Sequence, residues 1–205
     1  MKKLLLIGGG GHCRSCIDVI ESSQHYTIAG IVEREAAKGA SVLAYPILGG
    51  DDDLPQLLEK YSAALITIGQ IKSAESRVRL FERLKALGAE LPSVVSSQAY
   101  VSRHASLAAG TVVMHGAIVN AYAVVGQNCI INSQALIEHD AVVETHCHIS
   151  TGAKLNGNVY VESGCFIGSG VIVREGVRIG ANSFIQAGSV VLSDVLAGTV
   201  YRERT

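Results

Sequence analysis

The sequence predicts two architectures joined end to end: a small α/β lobe with a parallel sheet, then a parallel β-helix of hexapeptide repeats. From Val95 to Val191 every sixth residue is Val, Ile or Leu, without a break. Two residues before each of these, from Ala105 to Ser189, stands Ala, Thr, Cys, Val or Ser, so each hexad offers one small and one larger inward side chain. A single hexad cannot bury its own apolar edge. Stacked coils bury a continuous aliphatic column, and stability becomes a sum over neighbouring rungs. The repeat fills only the second half of the 205 residues, which places a lobe over 1–92 and the β-helix over 93–205, joined near Leu91–Ala99.

Within the lobe, Lys3–Ile7 reads as an apolar strand, Gly8–Gly11 as a glycine turn, and Cys13–Ser22 as a helix with Cys16, Ile17 and Ile20 on one side. Strand, glycine turn and helix open an α/β nucleotide-binding unit. A second strand, Tyr26–Val32, ends in Glu33, where such folds set an acid against a ribose. A third, Ala63–Ile68, ends in Gly69, and Ser73–Leu87 reads as its helix. All three loops then lie at strand C-termini, where open parallel sheets bind ligands. The glycines allow close backbone approach, and the helix N-terminus offers unpaired N–H groups to a phosphate. The run is not a full G-x-G-x-x-G, since the third glycine would fall at Cys13, so a nucleotide-diphosphate carrier is expected rather than a dinucleotide.

Seventeen Lys plus Arg against 18 Asp plus Glu leave a formal net charge of −1, which offers no field of one sign to recruit nucleic acid or an anionic membrane. Twenty-two glycines, no Trp and 5% aromatics suit coils with a narrow interior. The apolar run before Gly8 is too short for a signal peptide, so a cytoplasmic protein is expected. The five cysteines fit that compartment as thiols. Cys129, Cys147 and Cys165 recur at one coil of three hexads and read as a buried ladder, and the C-x-x-C of Cys13 and Cys16 as packing of one helix face.

Among the seven histidines, His115, His139, His146 and His148 stand in the central repeats. His139 lies two residues past an inward position, at a coil corner, and is bracketed by Glu138 and Asp140. A neutral imidazole can accept a proton near pH 7, and a carboxylate on its other nitrogen fixes the tautomer and raises basicity.

Asn132-Ser133 precedes His139, and His148-Ile149-Ser150-Thr151-Gly152-Ala153 and Leu155-Asn156-Gly157-Asn158-Val159 follow it. Together with the Gly-Gly-His loop, these segments resemble bacterial nucleotide-sugar acetyltransferases, which join a nucleotide-sugar lobe to a left-handed β-helix. That family includes the UDP-4-amino-sugar N-acetyltransferases of bacillosamine synthesis, with sialic-acid O-acetyltransferases as relatives. The resemblance implies a Rossmann-like lobe, a left-handed parallel β-helix, acetyl-CoA as cosubstrate with no metal required, and a homotrimer with cofactor bound between adjacent helices. It also implies a role in bacterial glycan synthesis, with a nucleotide-linked amino sugar, UDP-linked by preference, as acceptor. By position, His139 matches the general base, Asp140 its supporting acid and Asn132 the acceptor-pocket wall. His148, Gly157, Ser169 and Ala187 match cofactor-cleft positions. Gly11, His12 and Cys13 match the nucleotide-sugar loop, Glu33 with Arg34 stands where an acidic pair is common, and Gly69 closes the third strand. The chain departs from the family at Ser96-Ser97, where His-Pro is frequent, and at Gly198–Tyr201, where Gly-x-Pro-Ala is frequent.

The implied chemistry is direct transfer: the acceptor amine attacks the thioester while His139 takes its proton and a backbone N–H holds the oxyanion. Other readings stay open at this point. A histidine base serves a hydroxyl as well as an amine, as in sialic-acid O-acetylation. The same β-helix hosts zinc carbonic anhydrases, for which His146 and His148 would need a third imidazole. A non-catalytic nucleotide-sensing module would use the glycine loop and not His139.

Overall fold

The computed structural model describes residues 1–33 and 39–202. Its first sheet is formed by β1 (Lys2–Ile7), β2 (Tyr26–Val32), β3 (Ser41–Val42), β4 (Tyr45–Gly49) and β5 (Ala63–Ile66), in the order β3-β4-β2-β1-β5. Strands β1, β2, β4 and β5 are parallel, and the short β3 turns back on β4. The loops after β1, β2 and β5 therefore share one edge of the sheet. Helix α1 (Gly11–Ser23) covers one side, while α2 (Leu54–Lys60) and α3 (Glu75–Ala86) cover the other. The third strand stops at Ile66, two residues short of expectation, because Thr67 donates its hydroxyl to the Gly8 carbonyl and starts the loop there.

From Val94 onward the chain winds into the expected left-handed parallel β-helix. Two-residue strands repeat every coil and build three faces. One face presents Tyr100, Ile118, Leu136, Lys154, Ile172 and Val190 outward, in register. A second presents Ser106, Val124, Val142, Tyr160 and Arg178. The third carries Val94, Val112, Ile130, His148, Phe166, Phe184 and Val200. The second residue of each strand points inward, and these alternate with the small residues to give one continuous core from Val113 to Val195. Each fully buried Val, Leu or Ile in that column contributes roughly 1.5–3 kcal/mol. The cysteine ladder lies inside it, each thiol donating to a carbonyl one coil on: Cys129 to Glu144, Cys147 to Glu162 and Cys165 to Gly180.

The lobe docks on the third face. Val94, Val112, Met114 and Ile130 share a core with Leu4, Leu6, Cys13 and Ile17. At the neighbouring corner the guanidinium of Arg77, 1% exposed, donates to the carbonyls of Ile68 and Asn128 and to the Asn128 side chain. No carboxylate meets this cation among the described residues; carbonyl dipoles hold it, and burial lowers its pKa to about 10. Among the described residues no helix is long and apolar enough to cross a membrane.

Candidate active site

His139 stands at the corner that joins the first face to the second, in the turn Glu138-His139-Asp140. Its Nδ1 lies 2.8 Å from Asp140 Oδ2, and its backbone N–H donates to Glu138 at 3.0 Å. An ionised carboxylate only accepts, so Nδ1 carries the proton and Nε2 keeps its lone pair. The hydrogen bond to Asp140 raises the imidazole pKa, with the charges of Asp140 and Glu138 adding to it. One coil on, Gly157 lies directly under the ring: a Cβ there would sit 2.8 Å from Cε1 and 2.9 Å from Nε2. The absent side chain makes the seat for the imidazole. A groove of about 390 Å³ runs past it, lined by His139, Gly157, Asn158, Glu175 and Gly176.

His148 lies on the third face in a contrasting setting. It is 6% exposed, with Nδ1 2.6 Å from the Gln70 carbonyl and Nε2 3.1 Å from Asn132 Nδ2. The carbonyl can only accept, so Nδ1 donates and Nε2 accepts from the amide. Burial lowers this imidazole to about pKa 4. Both ring nitrogens are therefore engaged within the chain. His148 locks Asn132 to the lobe. Ser169 and Ala187 lie exposed on the corner between the third and first faces, Ser169 bonded to Ser150 at 3.0 Å. The expected cofactor residues are thus divided between two corners that flank the same first face.

In the lobe, Gly8 has φ of +107°, and a Cβ there would collide with Ile68 at 2.2 Å. Glu33 accepts the Gly9 N–H and so pins the glycine loop to the end of β2. Gly11 opens α1 and is exposed. His12 packs beside Gly69, its Nε2 is buried without a hydrogen-bond partner, and burial lowers it to about pKa 4. Cys13 is fully buried, so its side chain is core and its backbone is what it can offer to the loop. Arg34 lies outside the described residues. Cys16 is also buried, its thiol pushed up to about 12 by burial, as the packing reading requires. A cavity of about 410 Å³ opens at this edge, where Gly8 and Glu33 meet Asp51, Ser76 and Arg79. The last three escaped sequence reasoning. Only the Gly49-Gly50-Asp51 segment, a strand end followed by an acid, carried a signal for any of them. Among the described residues no three His, Cys, Asp or Glu side chains are arranged to hold a metal.

Repeat, corner histidine and glycine-loop lobe together define a transferase of the hexapeptide class. Residues 158–193 match the model of the bacterial transferase hexapeptide, and residues 3–84 match that of the PglD N-terminal domain. The His→Asn variant of perosamine N-acetyltransferase from Caulobacter crescentus, in complex with CoA and GDP-perosamine, superposes with a TM-score of 0.90 at 31% identity, over 96% of this chain and 91% of that one. The acetyltransferase domain of PglB from Neisseria gonorrhoeae superposes with a TM-score of 0.88 at 29% identity, over 97% and 95%. WeeI from Acinetobacter baumannii, at 19% identity, shares the fold with a TM-score of 0.84 over 97% and 95%. A search of curated protein sequences returned no match. The chain belongs to the nucleotide-sugar acetyltransferase family with a PglD-type N-terminal domain and a left-handed β-helix.

Proposed function

We propose that this chain transfers the acetyl group of acetyl-CoA to the 4-amino group of a nucleotide-linked amino-deoxy sugar, with His139 as general base. The observation that carries the reading is the oriented imidazole: Nδ1 is committed to Asp140 while Nε2 overhangs Gly157 at the rim of an open groove. The amine nitrogen bonds to the thioester carbon, Nε2 takes the amine proton, and collapse of the tetrahedral intermediate breaks the C–S bond. The leaving thiolate takes the proton back from the imidazolium. The backbone N–H of a bare position such as Gly157 is suited to hold the oxyanion. Support comes from the similar perosamine enzyme, for which His→Asn and His→Ala variants were crystallised with CoA and GDP-perosamine.

The nucleotide would occupy the cavity at the sheet edge, with Glu33 and Asp51 accepting from hydroxyl groups and Arg79 facing phosphate. Uridine diphosphate is the carrier that the family resemblance favours. The reading is completed by a homotrimer. The first face is apolar outward save for Lys154, with Tyr100 59%, Ile118 39% and Ile172 38% exposed. Closing three such faces on one another sets the His139 corner of one copy beside the Ser169 and Ala187 corner of the next, and the divided cofactor residues become one cleft.

The test is acetyl-CoA consumption, read as free thiol, against UDP-, GDP- and dTDP-linked 4-amino sugars, with free sialic acid as comparator. Turnover of one amino-sugar nucleotide is expected. Turnover of sialic acid alone would move the enzyme to the O-acetyl branch.

A further inference from the structure

A polar chain at the lobe seam has no part in the reaction scheme. Ser96 Oγ lies 2.6 Å from His115 Nδ1, and His115 Nε2 lies 2.9 Å from Asp18 Oδ2 on α1. An ionised carboxylate only accepts, so Nε2 carries the proton and Nδ1 accepts from the Ser96 hydroxyl. Asp18 is thus held through one oxygen, while its side chain remains 73% exposed.

The same contact sets the direction of α1. Asp18 meets His115, and His12, six residues earlier, has its ring 6.4 Å from that of His148. Six helical residues rise about 9 Å. His115 and His148 are nearly two coils apart, again about 9 Å at a strand spacing of about 4.8 Å. Helix α1 therefore runs along the prism, towards the early coils, beside the corner between the third and first faces.

The corner between the first and second faces carries a complementary patch at the level of His115. Tyr122 is 68% exposed, with its ring stacked on that of His104 at 6.0 Å. Arg103 is exposed, donates Nε–H to His104 at 3.1 Å, and meets no carboxylate among the described residues. Tyr122 has φ of +61°, a left-handed turn that the next three coils fill with Asp140, Asn158 and Gly176. A large exposed ring is thus kept where smaller residues fit the backbone.

A threefold rotation about an axis parallel to the prisms keeps every level, so closing three first faces brings this patch of one copy beside the Asp18 corner of the next. We propose that Arg103, His104 and Tyr122 dock α1 of a second copy of this chain, Arg103 donating to the free oxygen of Asp18 and the Tyr122 ring packing on the helix. This rests on the first-face trimer proposed above. The dock also fixes heights. Counted towards the later coils, Gly11 stands about 10 Å beyond Asp18, between the neighbour's His139 at about 6 Å and Gly157 at about 11 Å. Each glycine loop is thereby set level with the next copy's imidazole.

Sedimentation equilibrium, which needs no substrate, tests the dock. The wild-type chain sediments as a trimer. Arg103→Asp sets like charges together at three contacts and weakens association at least about tenfold, and adding Asp18→Arg recovers most of the loss. Tyr122→Gly suits the turn, keeps the corner folded and still weakens association. A monomeric wild-type chain overturns the proposal, as does an Arg103→Asp or Tyr122→Gly trimer as tight as wild type, or a charge swap that recovers nothing. A wild-type trimer that consumes no acetyl-CoA with any acceptor would sink the transfer reading and leave this contact standing.

Discussion

His139 and His148 are nine residues apart in one repeat, yet their surroundings drive them in opposite directions. At the His139 corner, solvent and two carboxylates favour the imidazolium, and the ring pKa is raised. In the lobe seam, His148 is sealed between a carbonyl and an amide, and burial lowers it to about pKa 4. The first can take and return a proton near neutrality. The second stays neutral and holds Asn132 and Gln70 in place. Residue type did not separate the two; half a coil of winding did.

The contrast breaks most sharply at His139, the proposed base. His139→Ala should lower turnover about 10²–10⁴-fold with an unchanged melting temperature, since the side chain is exposed. Normal turnover in that variant would remove His139 from the mechanism. In the seam the expected effect is on stability. His148 has a folded pKa of about 4 against an ordinary value of 6.5, so the unfolded chain binds more protons between those limits. Its contribution is intact above about pH 6.5 and is lost as pH falls towards 4, by at most roughly 3 kcal/mol. Urea unfolding at pH 7 and 4.5 should show His148→Gln flattening this dependence.

Two smaller changes sharpen the comparison on the His139 side. Gly157→Ala puts a methyl where the ring lies, and a displaced base should cost about 10–100-fold in kcat with near-normal melting. Asp140→Asn removes the charge that favours the imidazolium, so the ring pKa falls and the acid limb of the kcat profile moves to lower pH. The plateau should drop about tenfold as the base weakens and its tautomer is no longer fixed. A limb that stays put would mean that another group titrates there.

The β-helix was legible because its period writes itself into every sixth residue; the corner position of His139 followed from that period, whereas its expected role came from the family resemblance. The lobe was legible only where strands were long and apolar. The two-residue β3 and its partner β4 have too few residues to show alternation, and α2 is seven residues long and opens with Leu-Pro, too short for a helical period to register. Asp51 follows β4 while Ser76 and Arg79 sit on α3, and they meet only because parallel strands deliver their ends to one edge. Burial, which sequence does not display, is what the structure adds at Cys13 and His148: the thiol packs in the core and both imidazole nitrogens bond within the chain.

The seat of His139 also constrains how such a chain can change length. Gly157 lies under the imidazole because the winding returns to the same corner after a whole coil. An insertion in the linker near Leu91 leaves that phase untouched, whereas one extra residue between His139 and Gly157 would rotate a side chain into the seat and carry every later corner around the prism. Growth or loss within the helix is therefore tolerated in units of whole coils, and single-residue insertions and deletions belong to the lobe.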